Sequence, residues 1–177
     1  TSSAGQQIDL DTNFTVTLSD TGTMSASALN TLNGKVPGTV TVTNAVTLTG
    51  SASDIATAAS ADNAGTLALA ANFGATVSAG AVDAADLITI YGQTSATINA
   101  TAATGINGSA ANVHTVIDHA QVNHDTNFTV SISGTSAAAA DLKAIDLITS
   151  GIITATGVET ITGSLVDVGD VIDVDTN

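Results

Sequence analysis

The sequence predicts an α/β solenoid: stacked parallel strands with short helices, wound in about six coils of ~27 residues as one array across residues 1–177. Three observations carry this expectation. Landmarks recur together: Asn-Phe at Asn13-Phe14, Asn72-Phe73 and Asn127-Phe128, a following leucine at Leu29, Leu87 and Leu142, and Gly-Ser pairs opening at Gly50, Gly108 and Gly163. All three sets step by about 55 to 59 residues, which gives repeat units of approximately 8–66, 67–121 and 122–177. Each unit then divides in two. Val130–Ile145 and Thr160–Ile172 share a plan of alternating Thr and apolar residues, a Gly, a small polar residue and an apolar-periodic stretch. Finally, strand-like and helix-like patterns alternate along the chain. An all-β parallel β-helix is the alternative architecture.

The first element is the segment from Ile8 to Ser19. Ile8, Leu10, Phe14, Val16 and Leu18 are apolar, and Asp9, Asp11, Asn13, Thr15 and Thr17 are polar, so it reads as one long amphipathic strand. Ser25–Gly34 follows as a short helix, with Leu29 and Leu32 three apart on one face. Thr39–Gly50 alternates strictly, is rich in β-branched residues, and reads as a strand with one buried face. Ser51–Ser60, Asp83–Gly92 and Ser136–Leu147 each begin with Ser or Asp, are rich in Ala and carry helical spacing, which predicts N-capped helices of two to three turns. The chain closes on Ile172–Asn177, "IDVDTN", nearly repeating the "IDLDTN" of Ile8–Asn13. In strand register Ile172 and Val174 would point inward and Asp173, Asp175 and Asn177 outward. The matched ends lead us to expect either a window on a longer array or a tile that continues head to tail into an identical neighbour.

Composition narrows the function. The chain is 44% hydrophobic but has three Phe, one Tyr and no Trp, so its core is built from small aliphatic side chains that favour thin, regular layers. Aromatic-lined ligand pockets are not expected of it. Lys35 and Lys143 are its only basic residues against sixteen acidic ones, and a net charge of −14 sets aside nucleic acid and anionic membrane surfaces as partners. All the acids but Glu159 are Asp, a bias that suits turns and calcium coordination as well as solubility. No cysteine is present, which excludes disulfides and thiolate metal sites and is compatible with export. No run of 18 apolar residues and no basic-hydrophobic leader is seen.

With Ala26–Ala58 and Val130–Gly151 in view, the chain resembles repeat regions of giant cell-surface or secreted, calcium-dependent adhesin-like proteins of cyanobacteria and other aquatic bacteria. The resemblance spans nearly the whole length and is compositional. It implies an extracellular, structural or adhesive role at the cell surface, export without disulfides, and calcium dependence. The Gly-Gly-x-Gly-x-Asp nonapeptide of calcium-binding β-rolls is absent, so a calcium site would have to be built differently.

The candidate metal ligands are Asp9, Asp11 and Asn13 with their counterparts Asp173, Asp175 and Asn177, which form a D-x-D-x-N pattern. An EF-hand is excluded because Phe14 stands where the loop needs Gly. On a strand, same-face carboxylates lie roughly 6.5 to 7 Å apart, and a calcium ion could sit between adjacent coils or at a junction between tiles. The competing reading is a solubilising face. His114, His119 and His124 are spaced by five, neither a helical nor a same-face strand interval, so we expect exposed or turn histidines and no zinc site. Paired threonines such as Thr47 and Thr49 suggest an ice-binding face, but Thr97–Gly108 loses the pair. No Ser/His/Asp grouping or phosphate-cradling Gly pattern appears, and no catalytic residue is assigned. The expected function is a non-enzymatic repeat protein that forms a filament, surface layer or adhesin stalk by end-to-end continuation with copies of itself or adjacent repeats. The alternative is a surface module that binds calcium or polysaccharide.

Overall fold

Gly50, Gly108 and Gly163, the recurrent glycines of the sequence, each lie where a strand passes into a helix, with φ of +146°, +148° and +156°. A side chain there would be strained, so these positions need glycine, and they divide the chain into comparable pieces. The computed structural model describes Ile8 and residues 10–175, with side chains as far as Asp173. It is an α/β protein of parallel sheets and short helices. Six successive strand–helix units can be followed. The first holds β1 (Val16–Leu18), β2 (Gly22–Ser25) and α1 (Ala26–Asn33), and the second β3 (Val40–Val42), β4 (Val46–Gly50) and α2 (Ala52–Asn63). The third holds β5 (Leu67–Ala68), β6 (Gly74–Val77), β7 (Gly80–Asp83) and α3 (Ala84–Tyr91), and the fourth β8 (Ile98–Asn99), β9 (Ala103–Gly108) and α4 (Ala110–Ile117). The fifth holds β10 (Val122–Asn123), β11 (Thr129–Ile132), β12 (Ser136–Ala138) and α5 (Ala139–Ile148), and the sixth β13 (Ile153–Thr154), β14 (Thr160–Thr162) and α6 (Leu165–Asp175).

Every strand pairing among the described residues is parallel. Parallel neighbours cannot be joined by a tight turn, so each crossover must carry the chain around through a helix. The sheet orders are β1-β3-β5, β10-β8-β6-β4-β2, β13-β11-β9-β7 and β12-β14. Each helix packs on the next, from α1 on α2 through to α5 on α6. Units three and five contain one strand more than units two and four, and this moves the pairing one sheet along. Thus β4 pairs with β6 while β7 starts beside β9, and β7 and β12 lie against the preceding helices α2 and α4.

The interior is a continuous cluster of Ala, Val, Leu and Ile that also holds Phe73 and Phe128. Leu29, Leu87 and Leu142 are 2%, 0% and 8% exposed at the centre of α1, α3 and α5. Alanine supplies close approach: a Cβ placed on Gly50, Gly108 or Gly163 would come within 3.8, 3.3 and 3.1 Å of the Cβ of Ala26, Ala84 and Ala139, the first helical residue of the preceding unit. Ser51 caps α2 and Ser164 caps α6. Each hydroxyl accepts the backbone N–H three residues on and donates to that residue's carboxylate, Asp54 and Asp167.

Three sequence expectations are corrected here. The long strand from Ile8 to Ser19 shrinks to Val16–Leu18, because the Asp11 carboxylate accepts the Asn13 N–H at 3.0 Å and folds Asp11–Asn13 into a turn. Ile172 and Asp173 are not on a strand: α6 runs from Leu165 to Asp175, so the two similar end segments take different structures. Ser136 does not cap α5. It pairs within β12, and the helix starts from Ala138 without a side-chain cap.

Candidate assembly surfaces

The calcium expectation rested on Asp9, Asp11, Asn13, Asp173, Asp175 and Asn177 sharing strand faces. Asp11 is committed to its turn with Asn13, and Asp173 projects from a helix. Asp9, Asn177 and the side chain of Asp175 lie outside the described residues. Among the described residues, no three His, Cys, Asp or Glu side chains gather closely enough to hold a cation.

The histidines are separated and individually engaged. His114 Nδ1 lies 2.8 Å from an Asp141 carboxylate oxygen, the His119 ring stacks on Tyr91 at 3.9 Å, and His124 meets the carbonyls of Asp125 and Ile117 at 2.7 and 3.1 Å. All three are half-buried. Helix α4, which carries His114, was not among the expected helices. Its signal was present in the Gly108-Ser109 landmark, since the Ser109 hydroxyl accepts the Asn112 N–H and caps the helix.

Polar contacts between neighbouring helices follow one rule. The fifth residue of a helix reaches the third residue of the next: Asn30 to the Asp54 carbonyl at 2.8 Å, His114 to Asp141, and Lys143 to Asp167 at 2.8 Å. Lys143 also meets Asp170 at 2.8 Å. Hydrogen bonds from Lys143 and Ser164 hold the Asp167 carboxyl below its ordinary value, and those to Asp167 and Asp170 raise Lys143 to about 12. Asp86, the third residue of α3, has Ala56 at the corresponding fifth position of α2. Burial, and then the neighbouring Asp83 charge, push its carboxyl above the usual range.

The exposed threonine pairs do not form a regular face. The outward row across β2, β4, β6, β8 and β10 reads Ser25, Thr49, Thr76, Asn99, Asn123. In the adjoining row Thr23 and Thr47 are followed by Gly74. A Cβ at Gly74 would sit 2.8 Å from the Thr47 hydroxyl, so a third threonine would require Thr47 to shift.

The distinctive surfaces are the two ends. Positions that share a register can be compared from unit to unit. In the sixth unit Ile161 is 36% exposed, whereas its equivalents Leu48 and Ile106 are both 0%. Ile172 is 51% exposed against 0% for Ala59 and 6% for Ile117, and Leu165 is 91% exposed against 4% for Ala52 and 3% for Ala110. A groove lined by Leu142, Ile153, Ala155, Ile161, Val171 and Ile172 opens on this end. The first unit shows the complementary loss. Phe14, Val16 and Leu18 are half-buried, whereas Phe73, Ala75 and Val77 in unit three and Phe128, Val130 and Ile132 in unit five are buried. Ile8 is exposed where Leu67 and Val122 are buried. Each end therefore exposes what inner units cover with a neighbour.

No protein-family model, no curated protein and no solved structure matches the chain at a significant level, so the functional reading stands on this geometry alone.

Proposed function

We propose that this chain is a segment of an extracellular structural array: an α/β solenoid of six coils that continues end to end into a filament, surface layer or adhesin stalk. It has no enzymatic role in this reading, and its partners are copies of itself or adjacent repeats of the same kind. The observation that carries the proposal is the paired loss of burial at the two ends. Residues that are buried in units two to five are half-buried or exposed in units one and six, at positions that share a register. In a stack of like units the apolar face of each is covered by the next. The sixth unit presents Leu165, Val166 and Ile172 on such a face. High acidity keeps such an assembly from sticking laterally, and the absence of cysteine fits an exported protein held together by distributed packing.

A second reading, a module that binds surface polysaccharide, draws on the row Ser25–Thr49–Thr76–Asn99–Asn123, whose members sit roughly 4.8 Å apart across the sheet. Electron microscopy of the purified chain in millimolar calcium and in chelator tests the leading reading. Filaments or sheets with an axial repeat of roughly 30 Å, six strand spacings, are expected. Their loss in chelator would place calcium at the junctions. Isolated particles in both conditions, with saturable glycan binding by a monomer, would replace the structural reading with the second one.

A further inference from the structure

Each passage from an even unit to the next odd unit uses the same strand pairing. From unit two to unit three, β4 meets β6 with Leu48 beside Ala75, Thr49 beside Thr76 and Gly50 beside Val77. From unit four to unit five, β9 meets β11 with Ile106 beside Val130, Asn107 beside Ser131 and Gly108 beside Ile132. Both end on one further bond: Ser78 donates its N–H to the Gly50 carbonyl, and Ser133 donates to the Gly108 carbonyl, each at 2.8 Å. The third even unit ends in β14, which pairs with β12 on one side and, among the described residues, is the edge of its sheet. The first odd unit begins with β1, whose Val16, Thr17 and Leu18 stand where Ala75, Thr76 and Val77 stand in β6.

We propose that β14 is extended in parallel by β1 of a second copy of this chain, with Ile161 beside Val16, Thr162 beside Thr17 and Gly163 beside Leu18. This rests on the end-to-end reading above and adds its direction and register. Several independent positions fit. The second copy's Ser19 occupies the place of Ser78 and Ser133, so its N–H is the donor for the Gly163 carbonyl. Its Ile8 occupies the place of Leu67 and Val122, which pair with Val40 and Ile98, and therefore falls beside Ile153. Its β2 takes the place of β7 and β12, which lie on the preceding helices α2 and α4, and so it covers Leu165 on α6. On the helix side, Gly169 is the fifth residue of α6 and Ala28 the third residue of α1, a small pair with no like charges to oppose the approach. A Cβ at Gly169 meets nothing within 4 Å in the single chain, so the space there is open to a neighbour. The joint is heterologous, head to tail, and generates an open polymer.

The chain has no cysteine, so single thiols can be placed cleanly. Thr17→Cys and Thr162→Cys are prepared as separate variants at exposed positions and treated with a short bismaleimide under conditions where the wild-type chain assembles. A crosslinked dimer is expected when the two variants are mixed, none when either is treated alone, and a ladder of multimers from the double variant. Dimers from Thr162→Cys alone would mean tail-to-tail pairing and overturn the proposal. Stronger crosslinking of Thr162→Cys to Thr15→Cys or Ser19→Cys than to Thr17→Cys would overturn the register. If filaments form and no pair crosslinks, the joint is elsewhere and only this inference fails. If the wild-type chain forms no assembly, the end-to-end reading fails with it. An unchanged circular-dichroism melt of each variant verifies that folding is intact.

Discussion

Ile106 and Ile161 occupy the same place in two different units, and truncating each to alanine measures directly what a neighbouring unit is worth. Ile106 on β9 is 0% exposed, with β7 on one side and β11 on the other. Its truncation removes fully buried methyl groups and leaves a cavity that flanking strands, held by their own pairing, cannot close. A cost of about 3 to 4 kcal/mol is expected for Ile106→Ala. Ile161 on β14 is 36% exposed and, among the described residues, has a paired strand on one side alone, β12. The lost transfer energy falls in proportion to its burial, and the vacated space opens to water, so Ile161→Ala should cost about 1 to 1.5 kcal/mol in the isolated chain. For a protein of this size the first variant melts roughly 10 °C below wild type and the second roughly 3 °C below. Thermal and urea melts at sub-micromolar concentration, where association is suppressed, provide the comparison. At assembling concentrations the order changes: Ile161→Ala should weaken polymer formation, because that side chain completes its burial at the joint. Equal losses for the two isolated variants would show that the end position is already as well covered as the inner one, and the assembly argument would collapse.

Other consequences are quicker to check. Gly108→Ala should cost about 2 to 3 kcal/mol, since φ is +148° and the added methyl would approach Ala84 to 3.3 Å. Gly22→Ala has only its φ of +86° against it, with open space around, and should cost about 1 kcal/mol in the same melts. A chain in which residues 67–121 are duplicated in tandem should fold and gain roughly 10 Å in its longest dimension by small-angle scattering, two strand spacings; unfolding of that variant would refute the six-coil reading. The Lys143–Asp167 contact sets a pH window. Asp167 has its carboxyl lowered in the folded state, so its contribution is present at neutral pH and disappears as pH falls below the ordinary carboxylate range through that lowered value. Lys143 is raised to about 12, so its contribution is present below its ordinary value of 10.5 and disappears as pH climbs through 12. Amide exchange in α6 should accelerate at both extremes ahead of exchange in α3, and Lys143→Met should remove that difference. Finally, Ala28→Lys with Gly169→Lys should block assembly by like-charge opposition, whereas Ala28→Asp with Gly169→Lys should restore it by copying the Lys143–Asp167 geometry onto the joint.

Much of this fold is legible in one dimension. Gly50, Gly108 and Gly163 recur because each strand turns into its helix through a backbone region closed to side chains, and Ser51, Ser109 and Ser164 follow because the next N–H groups need an acceptor. Leu29, Leu87 and Leu142 recur because each odd helix turns its fourth residue into the interior. These are local demands, so they leave a local mark. The extra strands β7 and β12 left none. "GAVD" and "SAA" are short and small, and it is their pairing with β9 and β14 of the following unit that makes them strands. The histidines were equally silent: spacing by five excluded a shared ligand set but could not show that His114 would find Asp141 in the following unit.

The ends separate the two kinds of information most sharply. Composition and periodicity by themselves determined that the chain is α/β, repetitive, acidic and poor in aromatics, because those properties are sums over residues. They also made "IDLDTN" and "IDVDTN" look equivalent. Tertiary structure decided otherwise: the Asp11 carboxylate holds the Asn13 N–H in a turn, as the chain also turns before Phe73, while the later segment continues α6 from a well-capped start at Ser164. It also decided which apolar residues are surface. Leu165 and Ala110 share a register, yet one is 91% exposed and the other 3%, since burial is a property of the neighbour and not of the residue.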